Sequence, residues 1–561
     1  MANAERPQTH SRLFAPRTVQ YSTHAMPEKI HLYDTTLRDG AQSEDINLST
    51  ADKLRIAVRL DNLGIDYIEG GWPGANPIDT AFFEQIRKHP FEYARLAAFG
   101  STHHASSTPE NDKTLQAIAT CGATVGTIFG KTCPQHVKIA LGITRERNLE
   151  IIRDSIAYLK QNLHQAFFDA EHFFDGYKRD AEYALAALAA AHEGGADTLV
   201  LCDTNGGSMP EEITAIIRDV RARLPHAILG IHAHNDCELA VSNTLAAIHA
   251  GARQVQGTIN GVGERCGNAN LCSVIPNILL KTGGQCTCLP EGHLGRLKQT
   301  AAFVTDVANM VPFHRQPFVG DSAFAHKGGV HVSAINKESS LYEHIEPETV
   351  GNSQRILMTE QGGKSNILSL AQNLGYTLSK DDPILASLSE AIKGKASRGY
   401  DYAAAEASVE LLMLRHLPQN PLPEFFRLLR LFVVNSKTVA DPDMIVEATV
   451  KLDVRGQQAH TAAGGQGPVH ALDKALRKAL LPFYPEIEDM KLTDYKVRVL
   501  TVKGEADADG GTASNVRVLI ESSDSHSNWT TVGVSYDIID ASWQALSESF
   551  IYHLYRRHRG L

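Results

Sequence analysis

From Lys29 to about residue 277, short apolar runs alternate with amphipathic stretches, and this rhythm restricts the fold more than any other property of the chain. The apolar runs fall at Ile30–Tyr33, Tyr67–Glu69, Leu96–Phe99, Thr124–Phe129, Ala166–Asp169, Thr198–Cys202, Ile228–His232 and Val255–Ile259. They have the length and continuity of parallel strands buried on both faces. The stretch after the first run offers Ser49 and Thr50 as caps, Ile56, Leu60 and Leu63 on one face, and Gly64 where a helix can end left-handed. Eight such units in about 240 residues predict a (β/α)8 barrel, an α/β fold. The runner-up, an open doubly wound sheet, needs a glycine-rich phosphate turn after the first strand. Asp34-Thr35-Thr36-Leu37-Arg38-Asp39-Gly40 stands there instead.

The chain has 561 residues, so the barrel takes up about half of it. The remainder divides into a 1–28 N-terminal extension, 301–430 helical linker subdomains and a 431–561 α+β domain, around a barrel at 29–300. Residues Asp321 to Gly363 are irregular and rich in His and Gly, Asp382 to His416 read as helical, and Pro418, Pro421 and Pro423 mark a linker. Beyond it the pattern repeats at an offset of about 70 residues. Val469, Ala471, Ala475 and Leu476 correspond to Ile539, Ala541, Ala545 and Leu546, and the strand Val446, Ala448, Val450 to Val516, Val518, Ile520. Two strand-rich units that each end in a helix predict one pseudo-symmetric domain.

Charge and composition narrow the function. With 54 basic and 64 acidic side chains, a net charge of −10 and no basic stripe, nucleic acid is excluded as the main partner. No apolar run reaches the ~20 residues of a membrane span, so no membrane partner is expected. Eight scattered cysteines do not make a disulfide framework, which points to a reducing, cytoplasmic setting; Cys286 and Cys288 lack a second pair at zinc spacing. Arg6, Arg12 and Arg17 against Glu5 give the first residues a faint transit-peptide character, although a disordered extension is the simpler reading.

The chemistry gathers where the predicted strands end. His232 and His234 are two positions apart on one strand and so lie on the same face, a good metal half-site. Asp39, after strand one, can complete a nitrogen and oxygen site, and Asn268, after strand eight, can add a carbonyl oxygen. Such a donor set suits a divalent metal, Mn²⁺, Mg²⁺ or Zn²⁺, used as a Lewis acid. Arg38 and Gln42 after strand one, Glu69 after strand two, Glu171 after strand five, and Asp203 and Thr204 after strand six share that mouth. Arg38 can hold a carboxylate with its forked donors. Glu264 and Arg265 can either pair with each other or act directly.

Three motifs in order, Asp34 to Gln42, His232/His234 and Gly261-Val262-Gly263-Glu264-Arg265-Cys266-Gly267-Asn268, resemble the family of 2-isopropylmalate, homocitrate and citramalate synthases. The likeness runs from about Lys29 to Leu554, and Ala325-His326-Lys327-Gly328-Gly329-Val330-His331 resembles the family's linker histidine motif. Gly70 to Pro77, Phe129-Gly130-Lys131 and Phe168 to Tyr177 look most like the citramalate branch, which implies condensation of acetyl-CoA with pyruvate to citramalate and CoA. The alternative is a larger 2-oxo acid. The resemblance implies a metal on Asp39, His232, His234 and Asn268, with Arg38, Gln42, Glu69 and Thr204 on the substrate. Glu171 and His331 become the acid/base pair with Arg38 assisting, His331 acting across a homodimer, and His326 supports. It further implies isoleucine as the effector of the C-terminal repeat, with Gly504 to Gly511 as its contact segment. Two departures stand out: His103-His104 replaces an expected Arg-bearing stretch, and Glu238 follows Cys237 where glycine is usual.

Overall fold

The structure, a computed structural model, describes residues 27–335, 337–356, 364–373, 376, 378–379, 381–402, 404–417, 422–437, 444–500, 514–524 and 527–560. The N-terminal extension up to residue 26, Pro418 and Pro421 of the proline linker, and the Gly504 to Gly511 segment lie outside them. The chain divides into two compact units, Met1–Phe324 with His344–Ser353, and Ala325–Glu343 with Gln354–Leu561.

The first unit is a closed barrel of eight parallel strands: β1 (His31–Asp34), β2 (Tyr67–Glu69), β3 (Arg95–Ser101), β4 (Val125–Lys131), β5 (Gln165–Glu171), β6 (Thr198–Asp203), β7 (Leu229–Ala233) and β8 (Gln254–Gly257). β8 pairs back onto β1, with Asp34 opposite Gly257. All eight apolar runs became strands. Their alternation explains why they close: Leu32, Ile68, Ala98, Ile128, Phe168, Leu199, Ile231 and Val255 face the helical ring, while Tyr33, Tyr67, Ala97, Val125 and Phe167 pack together as a separate interior cluster. The last run ends earlier than the sequence suggests, because Ile259 belongs to a short helical turn, Ile259–Gly261, in which Asn260 takes a φ of 64°.

Local signals hold in the first helix, Thr50–Leu63. Ser49 and Asp52 form a reciprocal capping box, and Gly64 closes the helix at a φ of 95°. A Cβ on Gly64 would lie 2.4 Å from Pro290 Cδ, so glycine is required there by contact as well as by conformation. Ile56, Leu60 and Leu63 are fully buried against the barrel core.

The second unit begins with a short parallel pairing of Ala325–His326 with Arg355–Ile356 and the helices Gly329–Ile335, Lys364–Asn373, Pro383–Ala396 and Glu406–His416. Two β-β-β-α repeats follow. Strands β9 (Arg427–Ser436), β10 (Ile445–Val454) and β11 (Gln457–Gly465) precede helix Pro468–Leu480; β12 (Lys491–Leu500), β13 (Asn515–Ser523) and β14 (Asn528–Ser535) precede helix Ile538–Arg559. Ala448 and Val450 of β10 are fully buried, as are Val518 and Ile520 of β13, and so are Ala471, Ala475, Leu476 and their counterparts Ala541, Ala545, Leu546. The repeat in sequence is therefore a repeat in packing. No helix among the described residues is long and apolar enough to cross a membrane.

Candidate active site

Inward-pointing residues change character toward the strand ends. Below lie the tyrosines and Phe167; above them come Glu69, Thr127, Asp169, His232 and Gln256, all buried. A polar layer closed off from water must satisfy itself, and each member does so through a specific bond. Tyr33 OH donates to Glu69 Oε1 at 2.7 Å and Arg38 Nε donates to Glu69 Oε2 at 2.7 Å, and Thr35 Oγ1 adds a third donor to Glu69. Glu69 is wholly buried and spends its oxygens holding Arg38 and the Thr35 turn. Arg38 also donates to Asp39 Oδ2 at 3.1 Å and lies 3.8 Å from the centroid of Phe99. Desolvation favours its neutral form, but Glu69 and Asp39 outweigh that and hold the guanidinium more firmly protonated than usual. Asp34 shapes the turn by accepting from Thr36 N and Oγ1 at 2.9 and 3.0 Å, and burial pushes its carboxyl up to about 7.

Asp39, His232 and His234 each present a ligand atom within 4.8 Å of the others. The two imidazole Nε2 atoms face each other at 3.2 Å, and His232 Nε2 is 3.6 Å from Asp39 Oδ2. Asn268 joins them because the returning loop bridges onto the end of β7 opposite His234 and donates from Nδ2 to Asp39 Oδ1 at 2.9 Å. Asp39, His232, His234 and Asn268 are at most 5% exposed, yet Asn268 Oδ1 and His234 Nδ1 have no partner among the described residues. An orphaned carbonyl oxygen and two converging imidazoles beside a carboxylate fit a divalent cation. Burial, opposed by Asp39, lowers His232; burial and then His232 hold His234 down to about 4. Both rings are thus neutral, as ligands must be. Asp39 is held well below the ordinary carboxylate range because the Arg38 guanidinium, helped by the hydrogen bond from Asn268, outweighs its burial.

Behind His232, sequence reasoning missed a relay. Gln256 lies 2.8 Å from His232 Nδ1 through Oε1 and donates from Nε2 to Asp169 Oδ1 at 3.0 Å. Burial, with Glu69 nearby, pushes Asp169 up to about 8. The available signal was parity: Gln254 and Gln256 alternate with core-facing Val255, which a polar-free barrel strand would not need.

The other predicted residues are less tightly gathered. Glu171 ends β5 two positions beyond Asp169 and pairs with Lys131 at the end of β4. Thr204 Oγ1 accepts from His172 N at 2.9 Å, and Gln42 is exposed at the end of the turn Gly40–Gln42. Arg265 is 4.0 Å from Glu264 but bonds Asp236 at 2.8 and 2.9 Å and Thr204 O at 2.7 Å, so it braces the β6 and β7 loops rather than pairing chiefly with its neighbour. His103 is buried and bonds His104 O, a structural use of that pair. Glu238 turns left-handed at φ 59° beside a cavity of about 510 Å3 that Asn268, Asn270 and Gln316 also line. In the second unit His326 bonds buried Glu343 at 3.0 Å, while His331 is exposed and stacks on Tyr342 at 4.2 Å.

Residues 29–304 match the HMGL-like family, 318–399 the homocitrate synthase post-HMGL domain-like family, and 403–553 the LeuA allosteric (dimerisation) domain. The (R)-citramalate synthase of Geobacter sulfurreducens is 52% identical over 94% of this chain and 98% of that protein. The chain belongs to the (R)-citramalate synthase family. Its similarity to that family is sustained in Aquifex aeolicus, whose (R)-citramalate synthase is 48% identical over 94% of this chain and 98% of its own length. The 2-isopropylmalate synthase of the same organism is 29% identical over 93% of this chain and 96% of its own length. The two identities favour the same branch that the segments Gly70 to Pro77, Phe129 to Lys131 and Phe168 to Tyr177 resemble.

Proposed function

We propose that this enzyme condenses acetyl-CoA with pyruvate, releasing (R)-citramalate and CoA. The observation that carries the reading is the buried Asp39, His232 and His234 cluster, with orphaned Asn268 Oδ1, next to the clamped guanidinium of Arg38. Members of the citramalate synthase family that match nearly the whole chain support pyruvate over a larger acid. A divalent cation held by these four residues supplies Lewis-acid polarisation of a 2-oxo acid.

Arg38, fixed from behind by Glu69, offers its remaining N–H groups to the acid's carboxylate; Glu69 thus acts through Arg38. Thr204 and Gln42 border the same mouth. Glu171 is the base for the methyl proton of the thioester, which is too weak an acid to react unaided. His331 supplies the second acid/base function from the linker subdomain of a homodimer partner, and His326 holds that segment through Glu343. The working division is a catalytic barrel at 29–300, linker subdomains at 301–430 and a regulatory, dimerising domain at 431–561 that takes isoleucine, in a cytoplasmic enzyme.

Free-thiol release from acetyl-CoA tests the reading directly. Pyruvate turns over at least tenfold faster in kcat/KM than 2-oxoisovalerate or 2-oxoglutarate, and preference for either larger acid defeats the assignment. Isoleucine slows the reaction, whereas no effect of isoleucine on rate or Tm defeats the effector assignment.

A further inference from the structure

Lys131 and Glu171 close adjacent strands in exact register, and Lys131 Nζ contacts Glu171 Oε2. Their backbones are pinned independently: Asn148 Nδ2 donates to Lys131 O at 2.9 Å, and Thr132 Oγ1 donates to Glu171 O at 2.8 Å. Unlike the Arg38–Glu69 pair, whose carboxylate is sealed, both of these side chains keep about a fifth of their surface open, 21% and 22%. A solvent-touching pair of this kind adds little to stability, so its placement calls for another explanation.

An aromatic wall supplies one. Phe99 and Phe129 stack at 5.6 Å; Arg38 sits over the first ring at 3.8 Å, and Lys131 lies 5.4 Å from the centroid of the second. Trp72 meets both rings edge-on at 5.8 and 5.9 Å. Each ring of the stacked pair therefore carries one cation, Arg38 on Phe99 and Lys131 on Phe129. Arg38 already faces Asp39 and serves the 2-oxo acid, which leaves Lys131 beside the base. When a thioester methyl loses its proton, the electron pair moves onto the thioester oxygen, and that oxygen needs a donor fixed in advance.

We propose that Lys131 is a catalytic residue that donates a hydrogen bond from Nζ to the thioester oxygen of the acyl donor while Glu171 takes the methyl proton. This rests on the acetyl-transfer reading above and on Glu171 as base. The methyl C–H bond breaks, its proton goes to the Glu171 carboxylate, and its electron pair is held on the oxygen facing Lys131. The carbon–carbon bond then forms to the ketone carbon, the thioester carbonyl is restored, and the ketone's π pair becomes an alkoxide. That alkoxide recovers the proton from Glu171, directly or through water, before water hydrolyses the thioester.

The test uses the full-length enzyme and its Lys131→Met, Lys131→Arg and Glu171→Gln variants. Deuterium wash-in to the acetyl-CoA methyl, turnover, KM for pyruvate and the Mn²⁺-induced Tm shift are measured for each. Lys131→Met lowers kcat and wash-in about 100-fold, the effect of losing one oxyanion donor, while KM for pyruvate stays within about threefold and the Mn²⁺ shift persists. Lys131→Arg regains about tenfold over Lys131→Met. The assignment is overturned if Lys131→Met keeps more than about a third of the parent kcat, or if its loss of turnover comes with loss of the Mn²⁺ shift, the mark of a collapsed mouth. Inactive Glu171→Gln with active Lys131→Met removes Lys131 alone; fully active Glu171→Gln removes the base, and Lys131 with it; failure of the parent to release CoA with any 2-oxo acid removes the functional reading itself.

Discussion

Gln256 Oε1 faces His232 Nδ1 across 2.8 Å, and an amide oxygen can only accept, so the imidazole proton sits on Nδ1 and the Nε2 lone pair points at Asp39 and His234. Asp169 fixes the amide by accepting from its Nε2 at 3.0 Å. Orienting partners of this kind are worth about 10- to 100-fold in metal affinity. Gln256→Leu is therefore expected to weaken Mn²⁺ binding by that factor in calorimetric titration without unfolding the barrel. An affinity within about threefold of the parent rules the relay out.

Removing metal has its own signature. Two neutral imidazoles whose Nε2 atoms stand 3.2 Å apart, next to a carboxylate, would be better satisfied with a divalent cation bound. A ligand at 100 times its Kd adds about 2.7 kcal/mol to the folded state. Chelation is expected to abolish thiol release and lower Tm, with both restored by Mn²⁺, Mg²⁺ or Zn²⁺. His234→Ala erases the metal-dependent part of Tm; a variant that keeps the full shift excludes His234 as a ligand.

What was readable in the sequence follows from which forces are local. Strand placement and helix capping depend on residues within a few positions of each other, which is why Ser49, Gly64 and the eight apolar runs can be read directly. The His232/His234 pair is likewise local. Asp39 and Asn268 needed the added premise that a barrel brings all strand ends to one mouth. Glu69 was legible as a mouth residue but not as the anchor of Arg38, because that depends on a cross-strand distance that no spacing encodes. Parity marks Gln256 as an inward polar residue and Lys131 lies in a quoted motif, but their roles stayed hidden for the same reason: each acts through a partner on another strand, Asp169 or Glu171.

Gly263 owes its place to contact. A Cβ built there would stand 2.1 Å from Asn268 Nδ2 and 3.2 Å from Asp39 Oδ1. Gly263→Ala must push the Asn268 amide off Asp39, and overpacking of this size costs about 1–3 kcal/mol. The expected result is at least tenfold weaker Mn²⁺ binding, along with a lower Tm. Unchanged affinity, by the same calorimetric titration, means that Asn268 is not needed at the metal.

A pH test isolates the second unit. Glu410 accepts from Tyr552 OH at 2.8 Å, and burial, only partly offset by that bond, pushes its carboxyl up to about 7. Between the ordinary glutamate value near ~4.3 and about 7 the folded chain keeps a proton that the unfolded chain releases. The contribution of Glu410 is therefore whole at low pH and is lost as pH rises through about 7. Glu410→Gln keeps a neutral partner for Tyr552 at every pH. Asp34 and Asp169 in the barrel titrate in the same sense, so the informative quantity is the difference between parent and variant. Thermal unfolding is expected to show nearly equal stability at pH 4.5 and a variant more stable by on the order of 3 kcal/mol at pH 8. A gap that does not change with pH would mean that Glu410 enters the folded state already ionised.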